Sequence, residues 1–235
     1  MSKDGGTTWV KLNQPIPDNN YNSIQLGPNR NIFIKNSGKL YFSNDEGISW
    51  NKIVFPDSSF VTTFKFGLNG YIFVGARIET SESYSGVYRS KDMGENWIFK
   101  KLNDFQGILS LRISENGTLW AGTTGTDVLS MSGGIYYSVD KGENWIETRW
   151  WGYEDVHSIL PCNNNRIMVG TISGLFYSDD NGYTWDLLNL KNKPVFILAE
   201  NTDGIIFAAS YWIGIFRSFD NGENWEYAGL KQYRV

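Results

Sequence analysis

One eight-residue pattern recurs six times along the 235 residues, and it constrains the fold more than any other feature. The pattern is Ser-x-Asp-x-Gly-x-x-Trp, and its copies begin at Ser2, Ser43, Ser90, Ser138, Ser178 and Ser218. Successive tryptophans of the pattern lie 41, 47, 48, 40 and 40 residues apart. Self-similarity at such a period indicates an array of repeated structural units rather than a single irregular core.

Each period contains four strand signals, which are clearest in the last one. Apolar or aromatic segments at 195–200, 205–210, 214–218 and 223–229 are separated by short turns rich in Gly, Asn and Asp. Such spacing is typical of an antiparallel meander. Four strands, here named A to D, within roughly 40–45 residues form one blade of a β-propeller.

The pattern itself falls on the C-to-D hairpin and has a mechanical explanation. Its Asp can accept hydrogen bonds from the backbone of its own turn. Its Gly supplies a positive φ, and its Trp, expected on strand D, packs between sheets. We therefore predict a structural role without any ligand for Asp4, Asp45, Asp92, Asp140, Asp180, Asp220, Trp9, Trp50, Trp97, Trp145, Trp185 and Trp225.

The six copies resemble the Asp-box (BNR) repeats of sialidases, xyloglucanases, sortilin-type sorting receptors and a photosystem II assembly factor. The resemblance covers the whole chain and implies a β-propeller with the boxes on one face, away from any site. It also favours a secreted, periplasmic or cell-surface location. It does not select a function, because these relatives do unrelated things on one scaffold.

The predicted fold is therefore an all-β propeller of four-stranded antiparallel blades in a single domain, residues 1–235. Five complete blades are expected, preceded by one extra N-terminal strand at 7–12. We expect the chain to be a fragment of a six- or seven-bladed ring within a longer multi-domain protein. A compact five-bladed ring with a redundant first strand is the alternative.

Composition excludes several classes of function. The net charge is −4 and no segment concentrates Lys and Arg, so no nucleic-acid partner is expected. No apolar run is long enough to span a membrane. A single cysteine, Cys162, and a single histidine, His157, exclude Cys-rich and multi-histidine metal sites, and no cofactor is predicted. His157 is expected to be structural, and Cys162 has no sequence partner for catalysis.

A binding site is expected on the face opposite the boxes, where the B-to-C and D-to-A connections emerge. Two B-to-C segments, 76–86 and 122–134, are unusually long, and the D-to-A connection 148–157 is rich in aromatic and acidic residues. Exposed rings beside carboxylates suit sugar recognition. The candidate ligand-binding residues are Trp150, Trp151, Tyr153, Tyr211, Trp212 and Arg77. The alternative is that Trp150 and Trp151 only wedge between blades.

The leading functional hypothesis is a non-catalytic binding or scaffold propeller, with polysaccharide or another protein as partner and carbohydrate as the favoured ligand. The alternative is a glycoside hydrolase resembling the Asp-box xyloglucanases, which requires two carboxylates across the scissile bond. Its candidate acids are Asp127, Glu154 and Asp155, with Glu79 and Glu82 on the same face. A sialidase is disfavoured, since no Arg-Ile-Pro motif is present.

Overall fold

The structure is a computed structural model, and it describes most of the chain. The described residues are 2, 4–10, 21–67, 70–78, 84–103, 107–124, 133–152, 154–162, 164–211 and 213–230. Five predicted site residues lie outside them: Glu79, Glu82, Asp127, Tyr153 and Trp212. Of the predicted N-terminal strand, residues 7–10 belong to the turn region of the first box, and residues 11 and 12 are not described.

Twenty strands form five four-stranded sheets within the described residues, as the repeat predicts. Blade 1 contains β1 (Tyr21–Leu26), β2 (Ile32–Asn36), β3 (Lys39–Ser43) and β4 (Asn51–Lys52). Blade 2 contains β5 (Ser59–Phe66), β6 (Ile72–Ile78), β7 (Tyr84–Ser90) and β8 (Ile98–Asn103). Blade 3 contains β9 (Ile108–Ile113), β10 (Leu119–Thr123), β11 (Ile135–Ser138) and β12 (Ile146–Glu147).

The last two blades repeat this arrangement. Blade 4 contains β13 (Ser158–Pro161), β14 (Ile167–Gly170), β15 (Leu175–Ser178) and β16 (Asp186–Leu187). Blade 5 contains β17 (Ile197–Glu200), β18 (Ile206–Ser210), β19 (Gly214–Ser218) and β20 (Glu226–Gly229). Consecutive strands pair antiparallel in chain order, and one 3-10 turn, Pro28–Arg30, precedes β2. The predicted all-β propeller of antiparallel blades is confirmed.

Two details of the strand assignment differ from the prediction. The segment 76–86 is not entirely loop, because β6 and β7 continue into it and pair Ala76 with Gly86 and Arg77 with Ser85. The box tryptophans do not lie on strand D but directly before it, as Trp185 precedes β16. The box turn uses the backbone N–H groups just before the Trp, so the strand ladder starts one residue later.

The boxes are held by the hydrogen bonds that their turn chemistry predicts. In the box of blade 4, Thr184 donates its N–H to Asp180 Oδ1 at 2.8 Å and its hydroxyl to Oδ2 at 2.7 Å. The buried Ser178 hydroxyl donates to Asp180 Oδ1 at 2.8 Å and accepts the Gly182 N–H at 2.8 Å. The other five boxes have the same bonds, except that an Asn side-chain amide replaces the hydroxyl as donor to Oδ2 in the boxes of blades 2, 3 and 5.

These bonds lower the pKa of every box aspartate from 3.8 to about 2. In the boxes of blades 2 to 5, the largest cause is the backbone N–H four residues after the Asp. In the first two boxes it is the side-chain hydroxyl of that residue. Because the folded-state pKa lies below the unfolded value, the charged aspartates stabilise the fold above the unfolded pKa.

We therefore expect an acid-sensitive fold whose box contribution is complete above pH 4 and is lost as the pH falls through about 2. Guanidinium unfolding followed by Trp fluorescence at a series of pH values measures this. Asp180→Asn should reduce the pH-dependent part of the stability in that window. A stability that is flat between pH 5 and pH 2 would contradict the assignment.

The hydrophobic core lies between blades rather than within them. Four buried clusters each fill one junction: Phe33 and Phe64 belong to the first, and Leu111 and Phe73 to the second. The third cluster includes Trp120 and fills the junction of blades 3 and 4. The fourth cluster includes Met168 and fills the junction of blades 4 and 5. Each blade therefore depends on its neighbours for burial, as repeat architectures do.

Close approach of the blades requires glycine near the end of strand B. A Cβ at Gly122 would lie 2.4 Å from Val156 Cγ1, and one at Gly170 would lie 2.7 Å from the Val195 carbonyl oxygen. Both contacts involve the chain entering the next A strand. The glycines therefore allow inner strands β13 and β17 to pack against the preceding blade.

Candidate functional site

The face opposite the boxes is built from B-to-C loops and D-to-A connections that bind each other. Asn192 donates its N–H to the Ser173 carbonyl at 2.7 Å, and Val195 donates to the Thr171 carbonyl at 2.8 Å. In contrast, Arg166 of an A-to-B turn reaches the box of blade 5 at Asn221. A-to-B turns and boxes therefore share one face, and the connections with the candidate site residues lie at the other.

A cavity of about 290 Å³ opens on this connection face beside blade 4. The D-to-A connection before the blade supplies Trp150, Trp151 and Glu154 to its wall. Strand β15 supplies Phe176, and the connection after the blade supplies Lys191. The cavity thus combines an aromatic wall with polar and charged groups, as small-ligand sites do.

The two neighbouring tryptophans of this wall have different environments. Trp150 is 8% exposed and belongs to the core between blades 3 and 4, whereas Trp151 is 58% exposed. Their rings stack at 6.1 Å and 19°, and both meet Phe176 edge to face. Trp150 therefore wedges between blades, as the alternative interpretation expects. Trp151 presents its ring to the cavity in a fixed orientation.

Glu154 is fixed by the next blade. Its carboxylate accepts the Ser173 N–H at 3.0 Å and also the Ser173 hydroxyl, so both oxygens are engaged. The neighbouring Asp155 is half-buried and lies near His157, where its charge favours the protonated ring. Glu154 thus joins the connection to the B-to-C loop of blade 4.

A second ring cluster lies where β13 and β17 begin. Phe196 contacts His157 at 4.7 Å and Tyr211 at 6.3 Å between ring centroids. Tyr211 is 61% exposed. Burial lowers the pKa of His157, with Asp155 and Glu154 opposing the shift, and its buried Nε2 has no hydrogen-bond partner in the described part of the chain. Tyr211 and Trp151 therefore belong to separate ring clusters.

Arg77, the candidate binding residue of blade 2, packs on an aromatic ring. Its guanidinium lies over Phe60 with 5.5 Å to the ring centroid. Phe60 is the second residue of strand β5 and lies directly opposite Arg77 in the register of β5 and β6. The Arg77 side chain therefore lies on the same side of the sheet as Phe60, near the beginning of β5.

The inner strands of blades 2 and 3 carry two cations that the sequence analysis did not single out. Lys65 of β5 and Arg112 of β9 are half-buried. Burial and the charge of Arg112 lower the pKa of Lys65, and burial lowers that of Arg112. Arg112 donates to the Leu111 carbonyl at 3.0 Å, and no carboxylate of the described residues pairs with either cation. The available signal was a single cation between apolar residues near the end of each inner strand, in Phe64-Lys65-Phe66 and Leu111-Arg112-Ile113.

A third cation, Lys35 of β2, reaches the same inner strand. Its ammonium donates to the Thr62 carbonyl at 2.8 Å, and burial lowers its pKa. Positive charge therefore lies both beside the middle of β5 and at its A-to-B end. Lys65 and Arg112 lie toward the A-to-B ends of their strands, and so toward the box face rather than the cavity at Trp151.

Other candidate chemistry finds little support in the described residues. Cys162 is buried, and burial raises the pKa of its thiol to about 12, so it is not a ready nucleophile. No group of His, Cys, Asp and Glu side chains among the described residues could hold a metal ion. Nor does the described part of the chain contain a helix long and apolar enough to cross a membrane.

Solved structures with the same fold come from proteins of diverse function. Virginiamycin B lyase from Staphylococcus aureus is 12% identical, with a TM-score of 0.70 over 92% of this chain and 72% of the lyase. An ancestral GH74 enzyme is 15% identical, with a TM-score of 0.71 over 88% of this chain and 31% of that enzyme. Such similarity establishes the propeller fold and not a shared activity.

A third solved structure is YCF48 bound to D1 peptide. It is 23% identical, with a TM-score of 0.65, and the match covers 95% of this chain and 72% of YCF48. A comparison with curated protein sequences found no match. The sequence model of the photosynthesis system II assembly factor YCF48 matches residues 1–210. The chain is thus an Asp-box propeller that belongs to the YCF48 family of photosynthesis system II assembly factors.

Proposed function

We propose that this chain is a non-catalytic binding and scaffold propeller that holds an acidic segment of a partner protein at its inner strands. The observation that carries this proposal is the Lys65–Arg112 pair. Two half-buried cations of like charge lie on neighbouring inner strands without a paired carboxylate among the described residues. Keeping them there costs free energy, and an anionic group from a partner would offset this cost.

Two further observations support a binding role. The similar protein YCF48 has been solved with a bound D1 peptide, and we extend peptide binding to this chain as part of the proposal. Glu154, one of the candidate catalytic acids, is held by Ser173 through both carboxylate oxygens, which fits a role in joining the connection to the B-to-C loop of blade 4.

The test selects binders from a displayed random peptide library and measures their affinity for purified variants. We expect acidic peptides to be enriched, with binding that weakens as salt is added. The double variant Lys65→Gln with Arg112→Gln should weaken it by about tenfold or more. The matched control is Lys91→Gln, an exposed cation in a box turn. Peptides without acidic preference, or affinity that survives the double substitution, would refute this ligand class.

Carbohydrate is the second candidate ligand, and the exposed Trp151 ring in the connection-face cavity is the observation that favours it. Glycoside hydrolysis is the catalytic alternative within this class. It predicts that polysaccharides gain reducing ends when mixed with the protein, and that Glu154→Gln or Asp155→Asn lowers kcat by orders of magnitude. We expect no new reducing ends when the protein is mixed with polysaccharides.

A further inference from the structure

We infer that the cavity beside Trp151 is a binding site for one neutral sugar ring, separate from the inner-strand cations. This inference rests on the second candidate function and specifies the ligand that the cavity would take. The site lies on the connection face of blade 4, between Trp151 and Lys191. The Lys65–Arg112 pair lies on blades 2 and 3, toward the opposite face.

The size of the cavity favours a single ring. Its volume is about 290 Å³. This volume lies at the lower end of the range of about 300–1,000 Å³ that small-ligand pockets occupy, so the space suits one small molecule. One hexose ring has this size, whereas a peptide segment or a bound oligosaccharide would extend out of the cavity along the surface. A terminal or single sugar residue is therefore the unit we expect to be recognised.

The wall presents a flat ring whose orientation is already set. Trp151 is stacked on the buried Trp150 and meets the edge of Phe176 at 5.8 Å between centroids. Gly152 permits this geometry, because a Cβ there would lie 2.2 Å from Trp150 Cζ2. A ring that is ordered before binding loses little entropy when a ligand stacks on it. The C–H face of a pyranose can cover such a surface.

The polar groups of the cavity favour a neutral ligand with several hydroxyls. Lys191 and Asn192 are exposed, and neither side chain has a hydrogen-bond partner among the described residues. Glu154 contributes one negative charge against the one positive charge of Lys191, so the lining favours neither an anion nor a cation. Ligand hydroxyls can donate to the remaining lone pairs of Glu154 and accept from Asn192, which a purely apolar side chain cannot do.

A buried donor next to the cavity supports the same conclusion. Trp150 lines the cavity, is more than nine-tenths buried, and its Nε1–H has no hydrogen-bond partner in the described part of the chain. Buried donors are nearly always paired, and an unpaired one costs free energy. This N–H has almost no accessible surface, so a ligand oxygen could pair with it only after a small shift of the Trp150 ring. The apolar surface of the site is the exposed Trp151 ring.

The experiment uses saturation-transfer NMR and Trp fluorescence titration of the purified chain with methyl glycosides of glucose, galactose, mannose and N-acetylglucosamine. We expect at least one glycoside to give saturable binding, with the strongest transfer to its ring C–H protons. Trp151→Ala should weaken that binding by about tenfold. Asn192→Ala should weaken it by a smaller factor while leaving the ring contacts in place.

The matched control is Tyr183→Ala, which removes an exposed ring from a box turn and should leave glycoside affinity unchanged. Circular dichroism checks that each variant is folded. Failure of all four glycosides to bind the folded wild type would overturn the inference, as would binding that survives Trp151→Ala. Neither result affects acidic-peptide binding, which is measured separately through the Lys65 and Arg112 variants, so the two proposals fail independently.

Discussion

Replacing Trp185 with Ala is expected to lower the free energy of unfolding by about 3–5 kcal/mol, the cost of removing a large aromatic side chain from a core. The same substitution at Trp9, which occupies the same position of its own box, should change stability little. Trp185 is 4% exposed and packs edge to face against Trp150 at 5.3 Å, whereas Trp9 is 74% exposed. Equivalent residues of different repeats are therefore expected to contribute unequally to the stability of the fold.

Urea unfolding monitored by far-ultraviolet circular dichroism measures both variants, because this signal does not depend on the tryptophan that is removed. Both indoles donate Nε1–H to the box glycine, Trp185 at 3.2 Å and Trp9 at 2.9 Å. Because this hydrogen bond is present in both boxes, the difference in stability loss between the two variants reports the effect of burial. Equal losses in the two variants would show that the box hydrogen bonds, and not packing between blades, determine the contribution of the tryptophan.

Much of the fold could be predicted because every repeat contains the same turn and strand signals. The box fixes the C-to-D turn, and period-two patterns fix the strands before it, so β19 begins and ends where the sequence indicates, at Gly214–Ser218. Strand ends that depend on neighbouring chains were less predictable. The extension of β6 to Ile78 is an example, since it is the pairing with β7 that continues the ladder there.

The candidate site was harder to predict, because the sequence does not distinguish a buried residue from an exposed neighbour in a connection. Trp150 and Trp151 are identical in type and adjacent, yet one enters the core between blades 3 and 4 and the other faces the cavity. Only the path of the connection decides which ring points inward. The hydrogen bond between Glu154 and Ser173 likewise joins two segments whose contact the repeat pattern does not predict.

The proximity of charges on different inner strands could not be predicted from any single repeat. Lys65 and Arg112 are 47 residues apart in a chain of 235, and their proximity follows only from stacking blade 3 on blade 2. Equivalent positions in blades 4 and 5 hold Leu160 and Ala199. The cations therefore form a local feature of one arc of the propeller. Aligning the A strands by their box spacing would have shown this feature.

Replacing Arg166 with Met is expected to destabilise the junction of blades 4 and 5 by about 1–3 kcal/mol, since charge-assisted hydrogen bonds are lost. Arg166 is buried and binds Asp179 through Nε at 2.8 Å and Nη2 at 2.9 Å. Its Nη1 reaches the next box, at the Asn221 carbonyl (2.9 Å) and Glu223 (2.7 Å). The bonds to Asp179 raise the pKa of Arg166, which favours its charged form.

The matched control is Arg217→Met, which removes the exposed ion pair with Glu226 and should cost between about 0 and 1 kcal/mol. Both substitutions keep an unbranched apolar stem and remove one charge, so their difference reports burial and the bonds across the blade junction. Added salt should reduce the effect of Arg217→Met more than that of Arg166→Met, because the buried guanidinium is screened less. If the two variants lose equal stability, the contact between Arg166 and the blade 5 box does not stabilise the junction, and apolar packing around Met168 and Leu198 alone holds these blades together.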